Sequence, residues 1–132
     1  MNVMNVEYID TKNNAFNIKI TGEMDANGCS ASQIADDLEN LLKPETEQHI
    51  SLDIGNVTFL DSSGIGVIVF LFKRLKSSGG SLEIINVNGQ PKELINLLRV
   101  DNVIPIKFNR NNIIDSEQTD ELFRLTVNVN DF

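Results

Sequence analysis

Apolar and polar residues alternate in several short segments of the chain, and a period of two residues predicts β-strands. The pattern holds in three segments, residues 16–21, 50–54 and 82–85. An earlier segment, residues 6–9, is expected to pair with the first of these as a hairpin, because Lys12-Asn13-Asn14 supplies typical turn residues. Residues 104–106 contain a proline and predict at best a short edge strand.

Between these strands the apolar period lengthens to about 3.6 residues, which predicts amphipathic helices. Three helices are expected to begin near Ala26, Ser63 and Pro91, and the first is expected to end before Pro44. The inward stripe of the first helix is predicted to contain Ile34, Leu38, Leu41 and Leu42, and that of the second Ile65, Ile68, Phe72 and Leu75.

The order of these elements is strand, strand, helix, strand, helix, strand, helix, strand. Alternation of strands and helices favours a mainly parallel sheet with right-handed crossovers. The predicted fold is therefore α/β, with a mixed sheet of four or five strands and helices mainly on one face. Residues 1–108 are expected to form this single domain, and residues 109–132 an acidic C-terminal extension.

Composition narrows the classes of function. The 132 residues carry a net charge of −8, so a nucleic-acid backbone or an anionic membrane surface would repel the chain. One cysteine and one histidine exclude metal sites of the Cys/His kind, and no cofactor is expected. The N-terminus lacks a signal-peptide pattern and the longest apolar run, residues 67–72, is too short for a membrane span. We expect a soluble, cytoplasmic protein with no membrane insertion.

The segment Asp61-Ser62-Ser63-Gly64-Ile65-Gly66 lies at a predicted strand-to-helix junction, where function often gathers in α/β folds. A helix N-terminus offers unpaired N–H groups and a partial positive charge. A serine there can cap the helix with its hydroxyl. If phosphorylated, it places negative charge where donors already point. The residues alone leave both interpretations open.

Residues 57–67 resemble the phosphorylation segment of the STAS family, the anti-sigma factor antagonists. Gly22-Glu23-Met24-Asp25 is similar to the family's early loop, and Ser78-Gly79-Gly80-Ser81-Leu82 also agrees. The resemblance spans residues 5–108. The sequence departs from the family pattern at Asn27-Gly28-Cys29 and in its longer tail.

The resemblance implies a non-enzymatic binding protein that sequesters an anti-sigma factor, itself a serine kinase, and releases it when phosphorylated. It implies that Ser62 is the phosphoacceptor, that a serine phosphatase reverses the modification, and that the protein is a monomer or weak dimer. Asp25 is expected to lie near Ser62, and Asp53 to end the strand leading there. The residues expected to bind the partner are Met24, Asp25, Leu60, Asp61, Ser63, Gly64 and Val67.

The sequence leaves the role of two residues of the second helix open. Val67 and Phe70 lie off the predicted inward stripe, so either a neighbouring helix covers them or they form a docking patch with Met24 and Leu60.

The resemblance also implies an alternative function. STAS-like chains also occur as accessory subunits of a lipid-transport ATPase.

Enzymatic alternatives find little support in the residues. A serine hydrolase typically has a Gly-x-Ser-x-Gly pattern, and the residues around Ser62 do not match it. His49 is the only histidine in the sequence that could act as its base. No lysine follows the glycines as a phosphate-binding loop requires. The acidic pair and later lysine of a phosphoaspartate receiver are missing. Cys29 has no basic neighbour in sequence that would lower its pKa, and is interpreted as a small helix residue.

Overall fold

Five strands form one mixed sheet, in the order β1-β2-β3-β4-β5, in the computed structural model, which describes residues 4–43 and 45–108. The strands are β1 (Asn5–Lys12), β2 (Ala15–Met24), β3 (His49–Leu60), β4 (Ser81–Val87) and β5 (Ile106–Phe108). The helices are α1 (Ala26–Ser32), α2 (Ile34–Leu41), α3 (Ser62–Ser77) and α4 (Gly89–Leu98), followed by a 3₁₀ turn (Val100–Asn102). The predicted α/β class and the predicted mixed sheet of four or five strands are confirmed, and the sheet has five strands.

The first two strands form the predicted hairpin. Strands β1 and β2 pair antiparallel up to Lys12 and Ala15, so only Asn13 and Asn14 lie in the turn. Both asparagines have positive φ angles, 53° and 64°. A two-residue turn of type I′ requires this conformation at both positions, and asparagine tolerates it better than most residues. The polar tripeptide therefore fixes the pairing of β1 with β2.

Strands β2 to β5 are parallel, and neighbours in the sheet are also neighbours in sequence. Right-handed crossovers between such strands place their connecting helices on the same face. That face carries the apolar rows of the sheet; for example, Ile18, Leu52 and Ile84 lie in register and are buried. The alternate positions, such as Ser51 and Asp53, are half-buried and face away from the helices.

The first predicted helix is broken into two. Helix α1 ends at Ser32 and α2 begins at Ile34, because Gln33 between them adopts the left-handed conformation with φ of 56°. Of the predicted stripe, Ile34 and Leu38 are buried on α2, and Leu42 is buried just after the helix has ended. A single continuous helix over this segment was the wrong prediction.

Helix α3 presents a different stripe from the one predicted. Its buried residues are Gly64, Ile68, Leu71 and Leu75, whereas Ile65 and Phe72 are only half-buried. The reason is the close approach of the first turn to the end of β2: a Cβ on Gly64 would lie 2.4 Å from the carbonyl oxygen of Met24. A glycine gives no hydropathy signal, so the pattern did not indicate the correct rotation of the helix.

Strand β3 is longer than its alternating segment. It continues past Gly55 as far as Leu60, and its pairing with β2 shifts register on the way, as in a β-bulge. The carboxylate of Asp53 accepts a hydrogen bond from the backbone N–H of Gly55 at 2.9 Å. Asp53 therefore supports the irregular part of the strand, and the prediction that it ends the strand leading to Ser62 is wrong.

The remaining predictions concern the C-terminal part of the chain. Pro91 lies in the first turn of α4, as predicted, although the helix begins at Gly89. The edge strand begins at Ile106, after Pro105, rather than at Ile104. The expected acidic extension, residues 109–132, lies outside the described residues. Among the helices the structure describes, none combines the length and apolar character that crossing a bilayer would demand.

Candidate phosphorylation site at the start of helix α3

Asp61 caps helix α3. Its backbone is extended, and its Oδ1 accepts hydrogen bonds from the backbone N–H groups of Ser63 at 2.8 Å and Gly64 at 3.1 Å. These are two of the donors that a helix N-terminus leaves unpaired. The aspartate, and not a serine, is therefore the helix cap, which corrects the capping interpretation drawn from the sequence.

The same carboxylate reaches a second helix. Oδ2 of Asp61 accepts a hydrogen bond from the backbone N–H of Ala26, the first residue of α1, at 3.2 Å. The cap of α1 itself is Asp25, whose Oδ1 accepts from the N–H of Gly28 at 2.8 Å. Two carboxylates thus satisfy the neighbouring starts of α1 and α3. As expected from the sequence, the loop ending at Asp25 and the segment beginning at Asp61 lie together.

Ser62 is the first residue of α3 and is exposed. Within the part of the chain that the structure describes, its hydroxyl makes no hydrogen bond, and the contacts that cap the helix are made by Asp61. Ser63, its neighbour, is half-buried. Of the two serines, Ser62 is the more exposed to a macromolecule that approaches the start of the helix.

Met24 and Leu60 lie in the core. The two residues are register partners at the ends of β2 and β3, and both side chains are 0% exposed. They cannot contact a partner in this fold, so the predicted docking patch that included them is wrong. Both residues lie under Gly64, whose missing Cβ would also fall 2.5 Å from Cδ1 of Leu60. Their role is to seat the first turn of α3.

The other predicted contact residues have mixed exposure. Asp25, Asp61, Ser63 and Val67 are half-buried, whereas Gly64 is buried. Phe70 is also half-buried, and Arg74 lies over its ring at 5.8 Å from the centroid. Val67 and Phe70 pack against the core, so the neighbouring elements cover them in part.

The electrostatic environment of the site is negative. Neither Asp25 nor Asp61 forms an ion pair with any residue in the described ranges. The Cys29 thiol reports this field: burial, followed by the charges of Asp61 and Asp25, raises its pKa. This half-buried cysteine therefore stays protonated, in agreement with the sequence interpretation of it as a helix residue rather than a nucleophile.

His49 lies at the other end of β3 from Ser62, at the start of that strand. Its Nδ1 is 2.7 Å from the hydroxyl of Ser81, and its Nε2 is 3.0 Å from a carboxylate oxygen of Glu47. It is not placed to act as a base toward Ser62. In residues 4–43 and 45–108, no three His, Cys, Asp or Glu side chains are grouped so as to hold a metal ion.

One residue at this site was missed by the sequence interpretation. The side-chain amide of Gln90, in the first turn of α4, forms two hydrogen bonds with the backbone of Leu60, at 2.7 and 2.8 Å. These contacts join residues 30 positions apart. Nothing in local periodicity or spacing reveals such a contact, and only the fold brings the two segments together.

Comparison with known proteins identifies a family. A model of the STAS domain matches residues 7–118. The chain is 34% identical over 107 residues to an anti-sigma-B factor antagonist of Bacillus subtilis (strain 168), covering 78% of this chain and 92% of the relative. It is 26% identical over 97 residues to an anti-sigma F factor antagonist of Paenibacillus polymyxa, covering 74% of this chain and 81% of the relative.

A solved structure shares the fold. It is an anti-sigma factor antagonist in its unphosphorylated form, with a TM-score of 0.57 and 16% sequence identity. The similarity covers 92% of this chain and 97% of that one.

Proposed function

Given that this chain belongs to the STAS domain family, we propose that it is an anti-sigma factor antagonist controlled by phosphorylation of Ser62. In the unphosphorylated form it binds and sequesters an anti-sigma factor that is also a serine kinase. Phosphorylation of Ser62 by that kinase releases the anti-sigma factor from the complex. A serine phosphatase then removes the phosphate and restores the form that binds. The protein acts by binding rather than by catalysis, in the cytoplasm, as a monomer or weak dimer.

The observation that carries this proposal is the exposed hydroxyl of Ser62, which makes no hydrogen bond to the described residues and lies beside two carboxylates at a helix start. A phosphoryl group adds nearly two negative charges and three acceptor oxygens. Helix N-termini normally stabilise such a group, but the N–H groups of Ser63 and Gly64 already donate to Asp61. The added charge therefore remains largely uncompensated and is presented to the surface.

An uncompensated phosphate at the centre of a contact surface opposes binding in two ways. It repels any acidic group of the partner, and it must be desolvated without gaining donors when the surface is covered. The surface in question consists of Ser62 with the accessible parts of Asp25, Asp61, Ser63 and Val67. A loss of affinity of at least tenfold, about 1.4 kcal/mol, is what an effective switch requires.

Affinity capture with tagged protein from cells that produce it, followed by mass spectrometry, identifies the partner. The recovered complex is then incubated with ATP and the phosphorylated peptide is mapped. We expect a kinase-like anti-sigma factor in the complex, phosphate on Ser62, and release of the partner.

Ser62→Ala and Ser63→Ala form a matched pair for this experiment, because the two residues are adjacent and differ in exposure. We expect Ser62→Ala to bind the partner but to take up no phosphate, and Ser63→Ala to be phosphorylated. Phosphate on Ser63 alone would contradict the assignment. Capture of a transport ATPase in place of a kinase would favour the alternative role as an accessory subunit.

A further inference from the structure

Strand β3 continues beyond the last residue at which it pairs with β4. The last pair between β3 and β4 is Asp53 with Ile85, whereas β3 ends at Leu60. On its other side β3 remains paired with β2 as far as Met24. Among the described residues, the end of β3 therefore has a strand neighbour on one side only. Because Leu60 is fully buried, unpaired backbone groups there would be unfavourable.

Gln90 supplies the missing partner. Its Oε1 accepts a hydrogen bond from the backbone N–H of Leu60 at 2.7 Å, and its Nε2 donates to the carbonyl oxygen of the same residue at 2.8 Å. A side-chain amide carries the same donor and acceptor as a peptide group. Gln90 thus replaces one residue of a longer β4. Asn88 acts similarly further back, donating from Nδ2 to the carbonyl oxygen of Gly55 at 3.2 Å.

Leu60, the residue before the helix cap Asp61, therefore has backbone contacts on two sides. On the β2 side, Leu60 pairs with Met24, and the N–H of Asp61 donates to the carbonyl oxygen of Met24 at 3.4 Å. On the α4 side, Gln90 holds both backbone groups of Leu60. Ser62 follows two residues later, on a backbone whose direction these contacts determine.

We propose that Gln90 is a positioning residue for Ser62, acting through the backbone of Leu60. Transfer of a phosphoryl group requires the accepting oxygen to be held in a narrow range of positions, so the hold on Leu60 favours the reaction. This inference rests on the proposed role of Ser62 as phosphoacceptor. It adds α4, an element distant in sequence, to the machinery of the site.

Gln90→Met tests the hold directly, because methionine has similar length and forms neither hydrogen bond. Amide hydrogen exchange is measured by NMR on the full chain, with Glu93→Ala, at an exposed position of the same helix, as control. We expect the Leu60 amide to exchange at least tenfold faster in Gln90→Met and the Ser62 amide resonance to shift. The amides of Ile18 and Leu82, which lie in the central ladders, should exchange as in the wild type.

Two results of this measurement would overturn the inference. An unchanged Leu60 amide would show that Gln90 does not hold the strand end. Equal acceleration at Leu60, Ile18 and Leu82 would show that Gln90 contributes only to global stability.

Phosphorylation gives the second readout, with the kinase recovered by affinity capture. We expect Gln90→Met to lower kcat for phosphate entry at Ser62 at least tenfold with little change in KM, because the contact surface is intact while the hydroxyl is misplaced. A wild-type kcat would overturn the positioning role. If wild-type protein itself takes up no phosphate at Ser62, the proposed function fails, and the exchange measurement still decides whether Gln90 holds Leu60.

Discussion

The carboxylate of Asp61 accepts a hydrogen bond from the backbone N–H of Ala26, which lies 35 residues earlier in the chain. Its other oxygen accepts from two N–H groups of α3. One side chain therefore fixes the starts of two helices relative to each other, with Ser62 next to it.

Replacing Asp61 should destabilise the protein through loss of these contacts. We expect Asp61→Ala to lower the free energy of unfolding by about 2 kcal/mol, the upper end for loss of a helix cap. Asp10→Ala, at an exposed position of β1, is the control and should change it by less than about 0.5 kcal/mol. Urea denaturation measures both, and equal losses in the two variants would contradict the bridging role.

Ser62→Ala should leave stability almost unchanged. The hydroxyl makes no hydrogen bond to the described residues, and alanine has a slightly better helix propensity than serine. We expect a change within about 0.5 kcal/mol in either direction. Thermal denaturation measures it, and a loss of about 1 kcal/mol or more would show that the serine has a capping role after all.

Two glycines of α3 should respond in opposite ways to alanine. A Cβ on Gly64 would meet the carbonyl oxygen of Met24 at 2.4 Å, whereas a Cβ on Gly66 would have no atom of the described residues within 4 Å. We expect Gly64→Ala to destabilise the protein by about 2 kcal/mol or more, as overpacking does. Gly66→Ala should stabilise it by up to about 1 kcal/mol through helix propensity. Chemical denaturation of the two variants separates packing from propensity.

Charge at Met24 and at Val67 should separate core from surface. Met24 is fully buried, so Met24→Lys places an unpaired charge in the core and should destabilise the fold by more than about 4 kcal/mol. Val67 is half-buried, and Val67→Lys should leave the fold intact while weakening the partner complex. Circular dichroism reports the fold and calorimetry the binding. A folded Met24→Lys variant would contradict the burial of Met24.

The single tyrosine gives a direct electrostatic test. Burial, the charge of Asp37 and a hydrogen bond to it raise the pKa of Tyr8 to about 12. The folded state holds this proton more tightly than the unfolded state, so stability falls as the pH rises from about 10 to about 12. Absorbance titration should show the high midpoint. Asp37→Asn should lower it only in part, since burial is the larger cause, and an unchanged midpoint would exclude the contact with Asp37.

Periodicity predicted the parts of the fold that local pattern determines. Alternating segments became β2, β3 and β4, and Asn13 and Asn14 made the predicted hairpin turn. Each of these depends on residues close together in sequence, since side-chain alternation and turn conformation are local properties. The motif around Ser62 was also placed correctly at the junction of a strand and a helix.

Some errors arise from a local backbone conformation and others from contacts between distant segments. The left-handed Gln33 breaks a helix that looks continuous in sequence. The contact of Gly64 with Met24 turns α3 so that Leu71 rather than Phe72 faces inward. Met24 and Leu60 flank polar loops in sequence, yet they are covered by the first turn of α3. Hydropathy cannot distinguish an apolar residue at a docking surface from an apolar residue buried beneath a helix end, because in both cases the neighbouring residues in sequence are polar.

The hydrogen bonds between Gln90 and Leu60 can form only late in the synthesis of the chain. A chain still emerging from the ribosome contains the whole of β3 and the start of α3 before Gln90 has been made. Until the first turn of α4 follows, the buried end of β3 lacks its partner on one side. Ser62 therefore reaches its final position only in a chain that has been translated through α4. An incomplete chain contains the same sequence motif, but the backbone of Leu60 before Ser62 lacks the hydrogen bonds from Gln90.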